Sequence, residues 1–199
     1  MFVTFEGPEG AGKSSVIRNL SERLDAQGVR HLCTREPGAG TFGKAVRSLL
    51  LEGEGIEPRA EVFLFLADRS EHISHIVRPA LDRGEVVLCD RHADSTVVYQ
   101  GHARGFDVEL LRQWNQFATG GLRPDLTLLL DLPAEIGLAR LTNKDRLDAE
   151  PLEFHQRVRQ GFLKEAGLEP DRWRTVDASR PLEEVAEACW QAISHSMGR

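Results

Sequence analysis

The chain has 199 residues, 41% apolar and 28% charged, and a net charge of −6. That length and balance fit one domain with a substantial core. The negative field opposes nucleic acid, and no apolar run approaches the roughly 20 residues of a membrane span.

In chain order, Met1-Phe2-Val3-Thr4-Phe5 is apolar and β-prone and reads as a strand. It feeds Gly7-Pro8-Glu9-Gly10-Ala11-Gly12-Lys13-Ser14, which has the spacing of a phosphate-binding loop. Val16, Ile17, Leu20 and Leu24 follow at helical spacing. Strand, glycine loop and helix together are the context that this motif needs. Its backbone N–H groups converge on phosphate oxygens, and the helix N-terminus adds partial positive charge. In such a loop Lys13 bridges the β- and γ-phosphates, and Ser14 offers its hydroxyl to Mg²⁺.

Beyond the loop, strand and helix alternate. Strands are expected at Phe2–Glu6, Arg30–Thr34, Glu85–Asp90, Asp125–Asp131 and Arg172–Asp177. Val86–Cys89 and Leu126–Leu130 are continuous apolar runs, as in strands covered on both faces. Gly28 ends the first helix, Pro58 opens the third, Gly84 precedes a strand and Pro181 opens the last helix. The expected fold is a three-layer α/β sandwich with a five-stranded parallel sheet, in a single domain spanning residues 1–199. In the last helix Val185, Ala188, Trp190 and Ile193 form the packed face. Cys33, Cys89 and Cys189 are odd in number and far apart. The first two sit in strand-like runs, so buried free thiols and a reducing, cytoplasmic compartment are expected. With the loop starting at Gly7, a secretory signal of the usual form is not expected.

Parallel sheets collect ligands at the carboxyl ends of their strands. Those ends carry the phosphate loop, Arg35-Glu36-Pro37-Gly38 and Asp90-Arg91. Three such basic ends around one crevice indicate more phosphate than one triphosphate needs. Asp90-Arg91 reads either as a surface ion pair or as part of a Mg²⁺ network, and 35–38 either as a plain turn or as a ligand-facing loop. Phe65 and Arg69 lie four apart on a helix, hence on one face. On spacing alone Phe65 is a core residue and Arg69 extends over it. The alternative is an aromatic ring and a guanidinium reading a nucleobase. His72, His75, His92 and His102 form no metal pattern with the cysteines and read as surface or supporting residues.

Taken together, the chain resembles bacterial thymidylate kinases, nucleoside monophosphate kinases of the phosphate-loop group, over nearly its whole length. The motifs that carry this are Phe-Glu-Gly-Pro-Glu-Gly-Ala-Gly-Lys-Ser at 5–14, Thr-Arg-Glu-Pro-Gly at 34–38, Phe-Leu-Ala-Asp-Arg at 65–69 and Asp-Arg-His-Ala-Asp-Ser-Thr-Val-Val-Tyr-Gln-Gly at 90–101. The resemblance implies ATP as co-substrate, Mg²⁺ held near Ser14 and Asp90, and dTMP as acceptor. It gives the ATP side to Gly7, Glu9, Gly10, Ala11, Gly12, Lys13, Ser14, Ser15 and Arg140. The dTMP side falls to Glu36, Pro37, Arg47, Phe65, Arg69, Arg91, Ser95, Thr96, Tyr99 and Gln100. Glu9 is implied for the 3′-hydroxyl, Arg47 and Arg91 for the acceptor phosphate, with Arg35 close by. Phe65 is implied to stack on thymine, Arg69 to donate to its O4, Gln100 to face the base edge, and Tyr99 to exclude a 2′-hydroxyl. The resemblance thus overturns the core reading of Phe65.

Gly10 stands where some relatives carry a catalytic arginine. The charge is then implied to come from a short mobile lid near 141–150, through Arg146 first, Lys144 or Arg140. With Lys13, Asp90 and Arg91, Arg146 completes the catalytic set. The chain departs from the usual pattern at Ala39-Gly40-Thr41, in a shorter lid, and at His92, where tyrosine is common. A homodimer through helices near Phe65 is implied, and the adenine is expected to meet the backbone of 177–180. No nucleic-acid or membrane partner is expected. The residues alone leave open a kinase for another monophosphate or a deoxynucleoside, a nucleotide-hydrolysing switch, and a binding module.

Overall fold

Five parallel strands run in the order β2-β3-β1-β4-β5. They are β1 (Phe2–Glu6), β2 (His31–Arg35), β3 (Val86–Asp90), β4 (Leu126–Asp131) and β5 (Trp173–Asp177). The four later strands each begin one residue after the expected position. The computed structural model of the chain describes residues 1–52, 55–142 and 145–198. Lys144, expected in the lid, lies outside the described residues.

Strand alternation explains the continuous apolar runs. Val3, Phe5, Leu88, Leu128 and Leu130 face one layer, formed by α1 (Lys13–Ala26) and α9 (Leu182–Met197). Phe2, Val87 and Cys89 face the other layer, against Ile73, Val77 and Ala80. Leu129 and Trp173 on that side meet Phe154, Val158 and Phe162 of α8 (Leu152–Leu168). Both faces are covered, so β1 and β3 are fully buried. Thr4 and Thr127 are register partners, and their hydroxyls pair at 2.9 Å, which satisfies two polar groups inside the core.

Two expectations fail at the periphery. Cys33 is exposed, because β2 is an edge strand without full cover on both faces. Cys89 and Cys189 are buried. On α9 the buried stripe is Val185, Ala186, Cys189 and Ile193, which leaves Ala188 outside.

The remaining elements position the cleft: α2 (Gly40–Glu52), α3 (Pro58–His72), α4 (Arg78–Asp82), α5 (Ala93–Thr96), α6 (Val108–Thr119) and α7 (Ala134–Arg140). Pro58 opens α3 as expected, with the Glu57 carboxylate capping its first N–H groups. A π-helical segment, Ile73–Val77, continues α3 into α4. A second, Val97–Ala103, continues α5 and carries Tyr99 and Gln100. Among the described residues no helix is long and apolar enough to cross a membrane.

Candidate active site

The carboxyl ends of β1, β2 and β3 open onto one cavity of about 280 Å³. The phosphate loop forms one wall. Gly10 has φ +68° and abuts α7 so closely that a Cβ there would lie 2.1 Å from the Gly137 carbonyl oxygen. A side chain here would force the loop and α7 apart, so packing as well as residue choice opposes a loop arginine.

Lys13 curls back over the loop, its Nζ donating to the carbonyls of Gly7 (3.0 Å) and Pro8 (2.9 Å). Burial first, and the Arg91 charge second, bring its ammonium down to about 8. Ser14 Oγ donates to Asp90 Oδ2 at 2.8 Å. A hydroxyl and a carboxylate oxygen side by side are hard donors of the kind Mg²⁺ takes.

Arg91 is a non-glycine residue with a left-handed backbone, φ 67°. That turn swings its guanidinium back toward the loop. Nη1 donates to the Gly7 carbonyl at 3.1 Å, and Nη2 pairs with Glu9 Oε1 at 2.8 Å. The guanidinium also lies 5.1 Å over the Tyr99 ring, and the Tyr99 hydroxyl donates to Glu9 at 2.6 Å. Burial pushes the Glu9 carboxyl up, but Arg91, Lys13 and Tyr99 outweigh it and hold it at about 2. Beneath them the buried Glu6 accepts the His92 backbone N–H (2.8 Å) and the Ser95 hydroxyl (2.6 Å), and so braces the Asp-Arg turn.

At the opposite end, Phe65 lines the cavity and is half-buried, not sunk in the core. Arg69 is 2% exposed. Its Nε donates to Glu36 at 2.9 Å, Nη1 to Thr96 (3.0 Å) and Asn115 (2.5 Å), and Nη2 to the His92 carbonyl at 3.1 Å. A guanidinium has five N–H groups, so one remains for a ligand. Glu36 also takes His72 Nδ1 at 2.7 Å and His92 Nδ1 at 3.0 Å. Burial alone would raise its carboxyl; the facing His92 and Arg69 charges hold it well below the usual range. Glu36 therefore serves the site from behind, as a buried anchor, with His72 and His92 as supports. His75 is exposed on the surface.

Nearly every expected site residue meets in this cavity: Glu9 through Ser15, Glu36, Pro37, Arg47, Phe65, Arg69, Asp90, Arg91, Ser95, Thr96, Tyr99 and Gln100. Three stand apart from its lining. Gly7 supplies carbonyl contacts to Lys13 and Arg91. Arg140 reaches the carbonyls of Gly10 (3.4 Å) and Ala178 (3.3 Å), between the loop and the turn after β5. Arg146 points elsewhere: its Nη2 pairs with Glu61, and its Nε donates to the Leu50 carbonyl at 3.0 Å. Arg47 donates to the Pro37 carbonyl at 3.0 Å, and Arg35 lies 3.6 Å from Asp90.

The thymidylate kinase family model matches residues 5–189. The chain belongs to the thymidylate kinase family.

Curated thymidylate kinases are similar to it from end to end. That of Desulfovibrio desulfuricans is 51% identical, covering 100% of this chain and 97% of that protein. That of Synechococcus sp. JA-2-3B'a(2-13) is 52% identical, covering 97% and 94%. Among solved structures, thymidylate kinase from Ehrlichia chaffeensis superposes with a TM-score of 0.76 at 34% identity, covering 88% of this chain and 91% of that one. For a thymidylate kinase family member, sequence reasoning missed Glu6, Glu61 and Asn115, all buried polar residues. Helical spacing held a signal for Glu61: it precedes Phe65 by four residues and Arg69 by eight, on the same face of α3. Nothing local marks Asn115, which reaches Arg69 across 46 residues of sequence.

Proposed function

We propose that the chain transfers the γ-phosphoryl group of cytoplasmic ATP to dTMP with Mg²⁺, giving dTDP for dTTP synthesis. One observation carries the reading. A single cavity is lined by Lys13, Ser14 and Asp90, by Phe65, Arg69 and Gln100, and by the paired Arg91 and Glu9. That set suits two nucleotides laid phosphate to phosphate.

In this reading the acceptor's phosphate oxygen attacks the γ-phosphorus in line, with no covalent intermediate. The protein contributes alignment and positive charge. Lys13 exchanges its two carbonyl acceptors for phosphate oxygens. Arg91 and Arg47 grip the acceptor phosphate. Glu9, kept ionised by Arg91, accepts the 3′-hydroxyl, and the Tyr99 ring occupies the space a 2′-hydroxyl needs. Phe65 stacks on the base, and the remaining Arg69 N–H meets its O4.

Ser14 and Asp90 are the residues that would hold Mg²⁺, which neutralises charge on the β- and γ-phosphates when bound. Among the described residues no three His, Cys, Asp or Glu side chains gather for a metal, so the rest of its ligands would have to come from phosphate and water oxygens. The stretch 141–150 is the proposed lid of a single-domain enzyme. Arg140, already beside the loop, supplies charge there, and Arg146 does so only by leaving Glu61 and the Leu50 carbonyl. A homodimer through α3 and α6 belongs to the same proposal. In support, Phe63, 55% exposed, packs on Trp114 with ring centroids 5.3 Å apart, and Phe117 is 90% exposed.

The test is ADP production from ATP and Mg²⁺ with a panel of monophosphates. dTMP is expected well ahead, dUMP weaker, and AMP, CMP and GMP near background. No more ADP with dTMP than with buffer rejects the proposal.

A further inference from the structure

We infer that Glu61 is a positioning residue for base selection: its carboxylate fixes which way round the Gln100 amide faces the cavity. The inference rests on the dTMP reading above. Glu61 is 1% exposed and stands one turn before Phe65 on α3. Its Oε1 accepts Gln100 Nε2 at 2.9 Å and lies 3.5 Å from Arg104 Nε. Its Oε2 takes Arg146 Nη2, and Arg146 is itself anchored on the Leu50 carbonyl. Two guanidiniums thus offset a buried carboxylate and hold it in one orientation.

A carboxylate accepts hydrogen bonds and gives none. The end of the Gln100 amide that faces Glu61 must therefore be the nitrogen. Gln100 lines the cavity, and among the described residues no donor meets its Oε1. A base arriving beside it meets a fixed acceptor. The N3–H of thymine or uracil satisfies that acceptor; neutral cytosine sets a lone pair against it. Were residue 61 able to donate as well as accept, the Gln100 amide could turn over and suit either base. Arg69 discriminates separately, because its donor-only guanidinium suits a carbonyl at base position 4 and repels an amino group.

Glu61→Gln keeps the shape and removes the one-way constraint. The ratio of kcat/KM for dTMP to that for dCMP is expected to fall roughly tenfold, the remainder being kept by Arg69. An unmutated protein that prefers dTMP, with an unchanged ratio in the variant, overturns the inference and leaves the dTMP reading standing. An unmutated protein inactive on dTMP overturns that reading instead. Should Glu61→Gln not fold, Gln100→Glu gives a second test. It sets two acceptor-only groups face to face, flanked by Arg104 and Arg146, and displaces the side chain that meets the base. Its KM for dTMP is expected to rise about tenfold while that for ATP stays within about twofold. An unchanged KM for dTMP refutes the role of Glu61.

Discussion

Gly10→Ala probes the contact between the phosphate loop and α7. The added Cβ would fall 2.1 Å from the Gly137 oxygen, 2.7 Å from its carbon and 2.8 Å from its Cα. All three are backbone atoms, so no rotamer change relieves the overlap. Loop or helix must shift by about 1 Å, an overpacking that costs ~1–3 kcal/mol. The left-handed φ of +68° adds strain of about 1 kcal/mol for a residue with a Cβ. At roughly 2–4 °C per kcal/mol for a chain of this size, the thermal midpoint should drop by about 10 °C. Gly12→Ala is the matched control. It has a similar strain, φ +88°, but nothing within 4 Å of the new Cβ, so a loss of about 3 °C is expected. The same 1 Å displacement in Gly10→Ala should lower kcat/KM for dTMP by about 10²-fold. Thermal denaturation of the two variants without nucleotide, with steady-state kinetics of the first, reads both effects. Equal midpoint losses in the two variants would refute the argument, since the Gly137 contact would then cost nothing.

Arg69→Ala strips Glu36 of its guanidinium partner and leaves a buried carboxylate with the two histidines, a loss of roughly 3–5 kcal/mol. In the folded fraction the KM for dTMP should rise while that for ATP stays within about twofold; equal weakening of both substrates contradicts the placement. For Glu6, burial first and the Asp94 charge second push the carboxyl up to about 7 from an ordinary 4.5. The folded protein then holds a proton across that window which the unfolded chain releases. The contribution to stability is full below about 4.5 and is lost as pH rises through about 7. Glu6→Gln should therefore flatten the decline in thermal midpoint between those pH values, and an unaltered slope would remove Glu6 as its source.

Much of the site was legible because its signals are short-range. Gly7–Ser14 is a contiguous motif between a strand and a helix, and the strand ends that frame the cleft follow from parallel topology. Phe65 shows where local reasoning stops. Its helical spacing favours a core residue over a stacking one, and only the path of α3 along the cavity leaves the ring half-buried. Glu36 shows the converse: Arg35-Glu36-Pro37-Gly38 reads as a loop facing ligand, yet the carboxylate turns inward to collect Arg69, His72 and His92.

The sequence alone determined the α/β class, the strand positions to within a residue, and the phosphate loop. Periodicity and a contiguous motif encode these within a few residues of chain. Tertiary structure decided which buried charges meet, as Arg146 meets Glu61 across 85 residues. It also decided that Cys33 faces solvent from an edge strand and that Gly137 leaves no room for a side chain at Gly10. Those outcomes depend on where distant segments pass one another, and hydrogen-bond partners and steric walls exist only once the whole chain has taken its course.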